Sequence, residues 1–285
     1  FSHRFDDYLY YNLELKEDRN PFTDFENISK LIESIFFLRN KSYSKERKTL
    51  LFIDEIQSEP KAVNVLRYFY ELYPDLYIIA AGSMLETVFN NKLSYPVGRV
   101  SYLVLRPASF PEFLSAMNED ASLLQLEKIP FENFAFDKVI SLFHTYALIG
   151  GMPEVVSNYA QYRDLNGLKD IYESLLASYI DDVEKYGKNE RQTQVLRHVI
   201  RSSFPGAGSR IKYQGFGNSN YSSRDISEAL RSLENALLVN VVFPVTSSVL
   251  PMIPDKRKSH RLHLLDTGFV NYFLGIQKEI CNTKD

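Results

Sequence analysis

Short runs of uniform apolarity alternate along the first hundred residues with longer segments whose apolar positions recur every three or four residues. The two periods separate strands from helices. "YLYYNLEL" (Tyr8 to Leu15) is aromatic and β-prone and predicts a strand. "DFENISKLIESIFFL" places Phe25, Ile28, Leu31, Ile32 and Ile35 on one helical face. "TLLFIDEIQ" follows, with Leu50, Leu51, Phe52 and Ile53 apolar on both faces, the pattern of a parallel strand covered on both sides. "EPKAVNVLRYFYELYP" predicts a helix with Ser58 as its cap, Pro60 in its first turn and Pro74 at its end. "LYIIAAGS" (Leu76 to Ser83) and "VSYLVLRP" (Val100 to Pro107) predict two more strands. Strands alternating with helices imply a parallel α/β sheet.

From about Ser109 the period becomes helical throughout. "SFPEFLSAM", "FDKVISLFHTYALIG", "GLKDIYESLLASYIDDVEKY" and "ERQTQVLRHVIRSSF" each predict an amphipathic helix, and "GGMPEV" (Gly150 to Val155) a helix stop and turn. Residues 204–221 are rich in Gly, Ser and Asn and predict a loop. "SSRDISEALRSLENALLVNVVFPV" then sets Ile226, Ala229, Leu230, Leu233 and Leu237 on one helical face before a β-prone stretch. Helix followed by strand hairpin is a winged-helix-like pattern.

Composition changes this picture little. The 285 residues suffice for two or three domains, and a formal charge of −3 leaves room only for a local nucleic-acid patch. The single cysteine, Cys281, excludes an internal disulfide framework. No apolar run reaches membrane-spanning length, and a cytoplasmic protein is expected. The chain opens at Phe1 without Met, so a partial chain is also expected.

The chemistry gathers where the second strand ends. Ligands bind at the carboxyl ends of strands in open α/β sheets. Asp54 there can help hold hydrated Mg²⁺, and Glu55 can polarise an attacking water. The alternative is that the pair only leaves the sheet and favours the next helix N-terminus. Ser83 ends the neighbouring strand and can sense a γ-phosphate or cap a helix. Arg99 can stabilise phosphate charge or form a surface ion pair.

"LLFIDEIQ", "IIAAGSMLE", "YPVGRVSYLVLRPASFPEFL", "GGMPEVV" and "HLLDTGFVNYFLGI", in this order, resemble the prokaryotic AAA-type (P-loop) ATPases that carry a C-terminal domain of unknown function. The resemblance implies a Walker B pair at Asp54 and Glu55, with Asp54 acting on Mg²⁺ indirectly. It implies a sensor-1-like Ser83 and a candidate arginine finger at Arg99, with ATP and Mg as cofactors. The implied fold is an AAA-type parallel sheet flanked by helices, then a helical region and a winged-helix-like segment. Such proteins begin with a Gly-rich loop, GxxxxGK[ST], and residues 1–285 contain none. They also continue past the LDTGF-like segment into a region resembling PD-(D/E)xK nucleases. The expectation is therefore a piece of a longer ATPase rather than a degenerate relative, itself inactive in hydrolysis.

The expected organisation is an ATPase core over 1–118, a helical lid-like region over 119–205, and a winged-helix-like segment with the start of a C-terminal domain over 206–285. The alternatives are a non-catalytic DNA- or protein-binding regulator on a degenerate core, and a nuclease acting through a C-terminal region. Arg224, Arg231 and "PDKRKSHR" are the basic residues available to DNA. Asp225, Glu228 and Glu234 oppose them on the same helix. Oligomerisation is compatible with all of this. His260 and His263, spaced i, i+3, would point to opposite faces of a strand and make a poor metal pair.

Overall fold

The computed structural model describes residues 2–82, 98–184, 187 and 189–282. The chain divides into two compact units, Phe1–Val104 and Leu105–Asp285.

In the first unit β1 (Asp7–Asn12), β2 (Thr49–Asp54) and β3 (Leu76–Ala80) form a parallel sheet in that order. Parallel neighbours need crossovers. Helices α1 (Lys16–Thr23) and α2 (Ile28–Phe37) make the first, and α3 (Pro60–Leu72) makes the second. The register sets Leu9, Leu51 and Ile78 in one row, and Tyr11, Ile53 and Ala80 in the next. These rows face the helices. Leu31, Ile32, Ile35 and Phe36 of α2 and Ala62, Val63, Val65 and Phe69 of α3 close the core over them. Each large apolar side chain buried there contributes about 1.5–3 kcal/mol.

Three expectations change. The helices of this unit pack on the face of Leu9, Tyr11, Leu51 and Ile53; on the other face Leu50 is buried, whereas Tyr8, Tyr10, Phe52, Tyr77 and Ile79 keep partial exposure. The N-cap of α3 is Glu59, whose carboxylate accepts from the Lys61 N–H, and not Ser58. Residues 101–106 form no strand and leave Leu103 and Leu105 exposed. A β-prone run becomes a strand only against a partner edge, and no described strand pairs with it. Helix α1 was not anticipated, because "KEDRNPFT" buries only Pro21 and Phe22 and shows no apolar stripe.

The second unit is mainly helical: α4 (Phe110–Ala116), α5 (Asp120–Leu126), α6 (Phe136–Ile149), α7 (Pro153–Tyr162), α8 (Lys169–Glu184), α9 (Glu190–Ser203) and α10 (Ser223–Asn235). Then β4 (Val239–Val242) pairs antiparallel with β5 (Arg261–Leu264), and α11 (Thr267–Phe273) and α12 (Ile276–Asn282) follow. A capping box at Ser109 and Glu112 starts α4, and Ser222 caps α10 through the Asp225 N–H. Residues 208–211 lie along the other edge of β5: the Ile211 N–H donates to His260 O and the Leu262 N–H to Ser209 O. Val195, Val199, Ile226, Leu230, Leu233, Val241 and Leu262 share one core.

Two of the quoted motifs meet inside this unit. The Asp266 carboxylate, 6% exposed, accepts from the Gly151 N–H at 2.6 Å and caps α11 through the Phe269 N–H at 3.2 Å. A Cβ on Gly151 would lie 2.1 Å from Ala108 O, so only glycine fits. The C-terminal carbonyls of α6 are satisfied from elsewhere in the chain. Tyr172 donates to Ile149 O at 2.7 Å, and Asn271 and Gln277 donate to Leu148 O. "GGMPEVV" and "HLLDTGFVNYFLGI" are thus two halves of one structural junction.

Candidate functional site at the carboxyl edge of the parallel sheet

Asp54 is the last residue of β2, the central strand of the described sheet, opposite Asn12 of β1. It shares its face with Phe52, in the row of Tyr10 and Ile79, and is half-buried. Both carboxylate oxygens are engaged. The Tyr10 hydroxyl donates to Oδ2 at 2.8 Å and the Glu55 N–H donates to Oδ1 at 3.1 Å. The bond to the carboxylate is also the main reason the Tyr10 phenol titrates above its ordinary value, since it favours the neutral donor.

Glu55 leaves the strand in the left-handed region, at φ 52° and ψ 42°. A non-glycine residue pays roughly 1–3 kcal/mol for this, and such conformations persist only where the surroundings hold them. Here the Ile56 N–H donates to Ala81 O at 3.1 Å, and the Ala81 N–H donates to Ile53 O at 2.8 Å. The turn is pinned to the extension of β3 on both sides of Glu55. Its carboxylate Oε2 accepts from the Gln57 amide at 2.5 Å.

Ser83 lies outside the described residues. Arg99 is tied by its guanidinium to Glu71 on the last turn of α3, at 2.7 Å. Arg67 bonds the same carboxylate, which titrates below its usual range because of Arg67 first and Arg99 second. Asp54 and Glu55 are therefore brought together, and Arg99 is held by another partner. Sequence reasoning missed Tyr10 and Gln57. Gln57 was legible as a near neighbour of Glu55, whereas Tyr10 becomes a neighbour only through the strand register.

Among the described residues no cluster of three or more His, Cys, Asp or Glu could hold a metal. Magnesium that keeps its waters needs one or two carboxylates plus substrate phosphates. A single carboxylate at Asp54 fits that kind of site and no other. His260 packs between the Tyr213 and Phe243 rings while His263 is exposed, so the two share no site.

A parallel sheet packed against helices, with an acidic pair at the carboxyl end of its central strand, defines the class: an open parallel α/β domain. Residues 1–114 match the family model described as AAA domain, and residues 140–280 match a domain of unknown function, DUF8612. The two matches cover separate stretches of the chain. It is similar, at 26% identity over 210 residues, to an uncharacterized protein of Haemophilus influenzae, covering 70% of this chain and 47% of the relative. The chain spans about half the length of that curated relative. A structure of the Aeropyrum pernix ORC1 protein in complex with DNA aligns over 97% of this chain and 79% of its own, at 13% identity and TM-score 0.33. No helix among the described residues is long and apolar enough to cross a membrane.

Proposed function

We propose that the intact protein binds ATP and hydrolyses it with Mg²⁺, and that the second unit receives the resulting conformational work. The observation that carries this is the Asp54–Glu55 pair at the carboxyl end of β2, with Glu55 held in a strained turn. Strain of this kind gathers at functional sites. Asp54 would position hydrated Mg²⁺ from one side, fixed in direction by the Tyr10 hydroxyl. Glu55 would orient the attacking water, with the Gln57 amide setting the carboxylate's rotation. When bound, Mg²⁺ neutralises charge on the phosphates. Ser83 would read the γ-phosphate, and Arg99 would exchange Glu71 for phosphate charge. The phosphate loop must come from outside residues 1–285, so this segment alone is expected to hydrolyse nothing.

Residues 119–205 would serve as the lid-like part and 206–285 as the winged-helix-like part. Helices α9 and α10, the β4–β5 hairpin and the third edge at 208–211 support the latter. The test is ATP turnover by the full-length protein beside Glu55→Gln. Loss of turnover with retained nucleotide binding supports the reading; unchanged turnover removes Glu55 from it.

A further inference from the structure

Arg210 and Arg261 lie directly opposite each other in an antiparallel bridge. The flanking bonds, Ile211 N–H to His260 O and Leu262 N–H to Ser209 O, make this a non-hydrogen-bonded pair. That is the closer of the two antiparallel pair types. Like charges directly opposite destabilise a sheet. Both arginines are exposed, and neither forms a salt bridge among the described residues; Arg261 donates only to Gly208 O.

The surroundings add positive charge. Ile211 and Leu262 point to the core, so alternation turns Arg210, Lys212, Arg261 and His263 outward together. On β4 the outward residues are Asn240 and Val242. Among the described residues these strands turn no carboxylate outward; Glu234, at the end of α10, accepts from the Val241 N–H at the edge of β4. The adjoining loop adds exposed Lys256 and Lys258; its one acid, Asp255, pairs with Arg257. Helix α10 differs. Its Arg224 pairs with Glu228 at 2.9 Å and its Asp225 with Arg191 at 3.0 Å, so the charges of its first turns are matched within the fold, and only Arg231 further along is exposed with no salt bridge among the described residues.

We propose that this outward sheet face and the Lys256–Lys258 loop dock the phosphate backbone of a duplex nucleic acid. An unneutralised arginine pair suits phosphate, which arginine binds bidentately. Apart from His263 the face presents no ring, whereas single-strand binders stack bases on aromatic side chains. The charged contacts position the duplex without reading its sequence. The inference rests on the second unit alone, and so stands or falls separately from the ATPase reading.

The test is fluorescence anisotropy of a labelled mixed-sequence 20-base-pair duplex with the 285-residue chain, nucleotide absent, from 50 to 200 mM salt. Four phosphate contacts predict a loss of affinity on the order of a hundredfold across that range. With the double variant R210A/R261A the loss should fall to roughly tenfold, a slope change of about 2. Its melting temperature should equal or exceed that of the parent, because like-charge repulsion has been removed. That result separates lost binding from lost folding. R224A should bind as the parent does. The same loop exposes Leu250, Met252 and Ile253, which a protein partner would use. L250S/I253S is therefore expected to keep duplex binding. No saturable binding by the parent, an unchanged slope in R210A/R261A, or full competition by polyglutamate at equal charge would each overturn the assignment.

Discussion

Asp266→Ala tests the junction that organises the second unit. Asp266 is 6% exposed and accepts from the Gly151 N–H at 2.6 Å, the Phe269 N–H at 3.2 Å, and the Gly268 N–H. Alanine leaves buried donors unsatisfied at about 1–3 kcal/mol each. It also removes an N-cap worth about 1 kcal/mol. Against this, burial pushes the Asp266 carboxyl above its ordinary value, so the native charge is itself costly, and deletion relieves that cost. The balance is a loss of about 2–4 kcal/mol. For a unit of this size each kcal/mol moves the midpoint by about 2–4 °C, giving a fall of roughly 5–15 °C. Thermal unfolding followed by far-UV circular dichroism measures it. The pH dependence supplies a second check. A raised folded-state pKa means that stability from Asp266 is fully present below its unfolded pKa and is lost as pH rises through the folded value. The gap between parent and variant should therefore be widest in acid and narrow towards neutrality. A variant within about 2 °C of the parent at every pH, or a gap that widens with pH, would refute this account of the junction.

Three further outcomes are expected. Gly151→Ala should cost at least about 2 kcal/mol in urea unfolding, because its Cβ would meet Ala108 O at 2.1 Å and backbone must shift; an unchanged midpoint would show that the turn can yield. Glu55→Gln in the full-length protein should cut ATP turnover by about a hundredfold or more, as expected for a group that orients the nucleophile, while labelled-nucleotide binding persists. Asp7 is buried at the start of β1 between Lys41 and Arg47, and its bond to Lys41 chiefly holds its carboxyl below the usual range. Its stabilisation is present above the unfolded pKa and lost as pH falls through the folded one. Asp7→Asn should thus flatten the acid limb of the stability curve, and an unaltered limb would dismiss the Lys41–Asp7–Arg47 arrangement.

Local patterning carried much of this fold, because apolar period is a property of neighbouring residues. The stripe at Ile28, Leu31, Ile32 and Ile35 and the run Leu50–Ile53 announced α2 and β2. The acidic pair at the end of β2 was legible for the same reason: strand, exit and carboxylates are contiguous. What depends on pairing was not. "VSYLVLRP" has strand composition, yet no described strand pairs with it. The Tyr10 bond to Asp54 spans 44 residues and exists only through the parallel register. The Arg210–Arg261 pair spans a stretch that reads in sequence as loop, and only the antiparallel bridge makes neighbours of two like charges. In the second unit, "GGMPEVV" and "HLLDTGFVNYFLGI" were visible as motifs, but the hydrogen bond from Gly151 to Asp266 crosses 115 residues. The sequence by itself determined the three parallel strands and the longer amphipathic helices, since backbone preference and amphipathic period act over a few residues. Tertiary structure alone decided which polar groups meet, because hydrogen bonds and charges act through space and a linear pattern holds no register.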